Sequence, residues 1–160
     1  MKDAGIDYSC SGAWINEGST SDLNGNVHHE LWHSVLTNIL CIKDDSQGSP
    51  TNDHAQLSGI SLAELTDAFT IFGQSVNSDC LTNSGTCPNA NAGRPMGFTL
   101  SPDNYSMSSR QLAFIYALDY YIRRGPQFRV WIQNDLAAGD NLLESKYNWI
   151  RNSMFQGVEF

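Results

Sequence analysis

Basic residues are scarce. Nine Lys and Arg stand against seventeen Asp and Glu, a net charge of −8 over 160 residues. A surface of that sign repels phosphate backbones, which argues against nucleic acid as a partner. Long apolar runs are missing too, so no segment is predicted to span a bilayer. The first residues, Met1-Lys2-Asp3-Ala4-Gly5, contain no apolar core of a signal peptide. No C-x-x-C-H occurs, which removes covalent c-type haem attachment. A di-iron bundle would need two E-x-x-H motifs; only Glu30-Leu31-Trp32-His33 is present. Internal repeats, linkers and charge runs are also absent, and the length suits a single domain over 1–160.

Histidine is equally sparse, and its placing is informative. Of four histidines, three fall in His28-His29-Glu30-Leu31-Trp32-His33. Within it, His29-Glu30-Leu31-Trp32-His33 fits H-E-x-x-H. On a helix, residues four apart lie one above the other, so His29 and His33 can aim two imidazoles at one ion. Zinc accepts imidazole nitrogen and keeps a position open for water. Zinc lowers the pKa of that water, and a carboxylate beside it, Glu30, can take the proton. Val27, Leu31, Val35 and Ile39 recur every four residues, as do Trp32, Leu36 and Leu40, which predicts a helix over 27–42. His29 and His33 lie at the edge of its apolar arc, where ligands at the floor of a cleft belong.

Cysteine is present in an even number: Cys10, Cys41, Cys80 and Cys87. Cys80 and Cys87 bracket a loop-forming string, so a local disulfide is expected there. Cys10–Cys41 would tie the N-terminal segment to the end of the first helix. Both pairings place the protein in an extracellular or otherwise extracytoplasmic compartment. Asn104-Tyr105-Ser106 fits a glycosylation acceptor.

The rest of the chain reads as helices separated by polar loops. Residues 5–15 alternate loosely and predict a short strand. Residues 16–26 are turn-rich, and Asp22 or Asn26 can cap the first helix. The loop 43–59 carries Asp44, Asp45 and Asp53; its oxygens could hold calcium, but the spacing is not ordered for it. Ser61-Leu62-Ala63-Glu64 is a capping box opening a second helix, with Leu62, Leu65, Phe69 and Phe72 toward the core and Gly73 at its end. Residues 74–105 look irregular. A third helix is expected over about 108–124, stopped by Gly125-Pro126, with Arg123 and Arg124 complementing its C-terminal dipole. Phe128 to Ile132 fits a short helix or a strand. Asp140 should cap a last helix carrying Leu143, Tyr147, Ile150 and Met154, with Gly157 beyond it. The expected fold is mainly α: a compact helical domain with at most a small β remnant at the N-terminus.

A catalytic zinc usually has three protein ligands. His28 faces the wrong way. Asp53, His54 and Glu64 are the candidates. Ser58-Gly59-Ile60-Ser61-Leu62-Ala63-Glu64-Leu65-Thr66-Asp67-Ala68-Phe69 resembles the second zinc helix of the gluzincin metallopeptidases, the thermolysin and fungalysin type. In that family a Ser-Gly turn opens a helix whose Glu binds zinc, and a following Asp orients a zinc histidine. The resemblance covers about residues 10–73, including Gly12-Ala13-Trp14 where the family has a substrate-binding edge strand. It implies zinc on His29, His33 and Glu64, Glu30 as general base, Asp67 as the outer partner of a histidine, and a protein or peptide substrate. Here Glu64 and Asp67 are three apart, where the family has four, and no histidine follows His54. A tyrosine or Arg110 would then have to stabilise the oxyanion. Glu64 also has a duty that needs no metal, the second half of its own capping box. Two functions follow: a zinc-dependent metallopeptidase, or a non-catalytic binding or structural module on a degenerate scaffold of this kind.

Overall fold

The computed structural model describes residues 55–56, 58–75 and 110–160. Among them 77% are helical and none is in a strand, so the fold is mainly α. The expected strand at 5–15 and the helix over 27–42 lie outside the described residues.

Helix α1 spans Leu62–Gly73. Before it, Ser58 and Gly59 turn the chain: Gly59 has φ +70, a conformation that costs glycine little. Ser58 Oγ accepts from Ile60 N at 3.1 Å. The helix opens with the capping box read from the sequence and buries Leu65, Ala68 and Phe72. Phe69, expected in the core, is half-buried with the Arg110 guanidinium 5.1 Å above its ring. Leu62 is also only half-buried, and Ala68 takes the central place. Gly73 is the last helical residue, as expected.

Helix α2, Arg110–Arg123, is the hub. Leu112, Ala113, Phe114, Ile115, Ala117, Leu118 and Tyr121 are buried. That set covers most of its circumference, as a helix with neighbours on several sides requires. It contacts α1, the following helix and the last one. Asp119 and Arg123 pair across one turn at 3.4 Å. Arg124 leaves helical geometry at φ −140 and ψ 36, with its guanidinium 5.4 Å above the Tyr120 ring.

Gly125-Pro126 ends α2 as expected, and it also begins α3, Gly125–Ala137. Proline suits the first turn because its missing N–H would have no partner there and its φ is already helical. The Phe128 to Ile132 segment is therefore helix, inside an element of thirteen residues. Three signals end α3. Gly139 has φ +85, its N–H donates to Leu136 O at 3.0 Å, and Asp140 N–H donates to Asp135 O at 2.9 Å. This is the Schellman arrangement, satisfying the last carbonyls.

Asp140 Oδ1 then accepts from Leu142 N at 2.8 Å at the start of α4, Leu142–Trp149, but the N-cap is Asn141, one residue past the Asp140 expected in that place. The helix continues into a π-helical turn, Ile150–Met154, in which Phe155 N–H reaches back five residues to Ile150 O at 3.3 Å. Gln156 and Gly157, at φ 51 and 90, reverse the chain. The tail folds onto the α2–α3 corner: Tyr121 OH donates to Val158 O, and Arg129 donates to Phe160 O at 3.3 Å.

Two aromatic groups fill the core. Phe72, Phe114 and Trp149 meet edge to face at 4.9, 5.7 and 6.0 Å, joining α1, α2 and α4. Tyr121, Phe128, Tyr147 and Phe155 join α2, α3 and the C-terminal segment. Edge-to-face rings place positive edges on negative faces, so the first group and the Phe128–Tyr147 pair orient the helices as well as bury area, while Tyr121 and Phe155 stack nearly parallel, at 12°.

Candidate metal centre

Of the residues expected at the zinc site, the structure describes Glu64, the expected ligand, and Asp67, the expected partner of a histidine. His29, Glu30 and His33 lie outside the described residues, as do Asp53, His54 and all four cysteines.

Glu64 is fastened at three points. Its N–H donates to Ser61 Oγ at 3.2 Å. Its Oε2 accepts from Ser61 N at 3.1 Å and from Ser61 Oγ at 2.6 Å. Its Oε1 accepts from Ser153 Oγ at 3.1 Å. At its backbone, the Glu64 carbonyl accepts from Trp149 Nε1 at 2.8 Å. The residue thus sits exposed at the head of α1, with both its ends gripped by α4 and the π turn. The Ser61 hydroxyl, the Ser61 amide and Ser153 hold the carboxyl below its usual pKa, against a smaller opposing effect of burial. It is an anion through the neutral range.

Lone-pair counting sets what this carboxylate can still do. An ionised carboxylate has about four acceptor positions. Oε2 fills both of its own with Ser61, and Oε1 fills one with Ser153. Among the described residues nothing takes the fourth position, on Oε1, which is enough for a single bond to a cation. Metal-ligating carboxylates commonly carry such supporting bonds.

Asp67 stands three residues further along α1, exposed. Three residues turn a helix about 300°, so it shares a side with Glu64. Arg110 packs beside Gly73 at the opposite end of α1. Its guanidinium lies over the Phe69 ring, 5.1 Å from the centroid. Tyr121 and Tyr147 are buried within the aromatic core. Among the described residues no three His, Cys, Asp or Glu side chains converge as a metal site would need.

Sequence reasoning missed two contacts. Ser153 reaches Glu64 from 89 positions away, and no local pattern marks it. Lys146 is fully buried and donates to Ser75 Oγ at 2.9 Å. Its signal was available: Leu143, Tyr147 and Ile150 form an apolar stripe, and position 146 lies inside it.

No family model, curated protein or solved structure matches the chain.

Proposed function

We propose that the chain is a zinc-dependent metallopeptidase, with His29 and His33 as two ligands and Glu30 as general base. The observation that carries this reading is His29-Glu30-Leu31-Trp32-His33, with three of the four histidines spent within six residues. The donor chemistry fits zinc: two imidazoles four apart and a carboxylate with one open position on Oε1. Zinc bound there would make a water acidic enough to lose its proton near neutral pH. Glu30 would be the residue that takes up the water's proton and passes it to the leaving amine. Glu64 is the proposed third ligand, with Asp53 and His54 its competitors. Asp67 is the proposed partner of a ligating histidine. The substrate is a protein or peptide, and the Cys80–Cys87 and Cys10–Cys41 pairings set the proposed location outside the cytoplasm.

The second reading is a non-catalytic binding or structural module. One observation favours it: three of the four acceptor positions of Glu64 already serve Ser61 and Ser153, so the residue has a complete structural role without metal.

Metal analysis of protein purified without added metal or chelator separates the two. One zinc per chain, together with peptide hydrolysis, supports the peptidase. No zinc, or zinc with no hydrolysis of a broad peptide library, leaves the module. If zinc is bound, Glu30→Gln should keep it and lower hydrolysis on the order of 10²–10⁴-fold, since an amide accepts no proton from water. Full activity in Glu30→Gln would reassign the base.

A further inference from the structure

Residues 158–160 rest in a seat built by α2, α3 and the π turn. Gln156 and Gly157, at φ 51 and 90, turn the chain back toward it. Left-handed backbone is costly for a residue with a Cβ such as Gln156, so the contacts beyond the turn must hold the tail in place. Tyr121 OH donates to Val158 O, and Arg129 donates to Phe160 O at 3.3 Å. Between these two carbonyls Glu159 pairs with Arg151 at 3.1 Å and with Arg129 at 3.8 Å. The Phe160 ring meets Tyr121 at 5.9 Å and Phe155 at 5.2 Å, both close to a right angle. Gly125 leaves room for the Phe160 carbonyl, which a Cβ would fill.

The seat holds the tail by its backbone and one charge rather than by buried side chains. Val158 is 56% exposed and Phe160 47%. The tail presents acceptors, two carbonyls and a carboxylate, and the seat answers with a phenol and two guanidiniums acting as donors. Those donors are fixed by bonds that do not involve the tail. Tyr147 OH accepts from Arg129 at 3.0 Å, and Asn152 Oδ1 accepts from Arg151 Nε at 3.2 Å. The Tyr121 ring packs on Tyr147 and Phe155. The donors therefore keep their places when the tail leaves, and a preorganised site takes a new occupant at little ordering cost.

We propose that this seat is a docking site for a short acidic peptide segment of a partner protein, a carboxylate followed by an aromatic residue, and that the tail fills it in cis until such a segment displaces it. The tail itself defines the partner. Every peptide has the two carbonyls, the paired arginines select a carboxylate, and the Tyr121 and Phe155 rings select an aromatic neighbour. Exchange of tails between two copies is disfavoured, because three residues cover far too little area to hold a dimer. Tethering keeps the tail at an effective concentration in the millimolar range, so it is the competitor that a partner must beat. The site needs no metal and stands whether or not the chain is a peptidase.

The probe is a peptide of residues 155–160, labelled with fluorescein at its N-terminus and amidated at its C-terminus, with binding to the full chain read by anisotropy. Glu159→Lys in the chain sets a third cation beside Arg129 and Arg151 and should empty the seat. Val158→Pro removes the N–H that donates to Phe155 O at 2.9 Å and should empty it by a separate route. The peptide should bind both variants. A tail seated about nine-tenths of the time makes binding to wild type about tenfold weaker. Adding Arg129→Ala and Arg151→Ala to either variant should abolish binding, and a peptide carrying Glu159→Lys should not bind. No binding to either emptied variant overturns the proposal. So does equal affinity for wild type and variants, or binding that survives the loss of both arginines. Self-association of the wild type that Glu159→Lys abolishes overturns it as well, since a second copy would then be the occupant.

Discussion

Glu64 shows how one side chain can be read two ways and how a single atom separates them. A capping box accepts Glu or Gln at its third position, because either oxygen can receive the amide of the cap residue. A zinc ligand needs the negative charge. Glu64→Gln should therefore keep most of the thermal stability. If Glu64 is a ligand, the same variant should lose zinc occupancy. Ser61→Ala removes the other half of the box and should cost about 0.5–2 kcal/mol, measured by denaturant unfolding. The pH dependence has a definite sign. The folded carboxyl has a lowered pKa, mainly through Ser61, so its contribution is present above the ordinary value of 4.5 and fades as pH falls through the folded value. Ser61→Ala should flatten that acid limb. Tyr121 behaves in the opposite sense. Burial pushes its phenol up to about 12, and its O–H donates to Val158 O. The contribution is present below pH 10 and lost as pH rises through about 12. Ultraviolet titration should show a late ionisation from Tyr121, and Tyr121→Phe should remove that step.

At the scale of elements, local chemistry was legible wherever it stood alone. Ser61-Leu62-Ala63-Glu64 announced α1, because a cap is a short-range signal; for α4 the sequence pointed to Asp140, one residue short of the actual N-cap, Asn141. Gly125-Pro126 was half legible. As sequence it marks a stop, and in the structure it is a stop followed at once by a start, since proline ends one helix and suits the first turn of the next. The side of α1 that faces the core was blurred. Phe69 outranks Ala68 on hydropathy, yet Ala68 is buried and Phe69 only half-buried. The tail contact also depends on a small residue. A Cβ on Gly125 would run into the carbonyl oxygen of Phe160, a backbone atom that cannot rotate away. Gly125→Ala should displace the tail or strain the α2–α3 corner, costing about 1–3 kcal/mol in unfolding experiments. Loss of the late tyrosine step in the same variant would show that the tail has left Tyr121. Unchanged stability and unchanged titration would mean that the tail does not sit against this corner in solution.

For the whole molecule, the helical class was legible because three segments between 61 and 154 carry helical periodicity over ten or more residues. The arrangement was not. Trp149 on Glu64, Ser153 on Glu64 and Lys146 on Ser75 are pairings across 71 to 89 positions, and no spacing rule reaches that far. The zinc reading rests on the motif and its resemblance, and so does the location outside the cytoplasm on the cysteines. Those cysteines allow a test of the molecule as a unit. A Cys80–Cys87 bridge closes a short loop, and Cys10–Cys41 a loop of about thirty residues. On the chain-entropy account, a loop of that longer size restricts the unfolded state by roughly 3–4 kcal/mol. Thiol titration of the denatured, unreduced protein should find no free thiol. Reduction should then lower the unfolding midpoint, and more for the longer loop, which Cys10→Ser paired with Cys41→Ser would isolate. Four free thiols would remove both bridges and, with them, the case for an oxidising compartment.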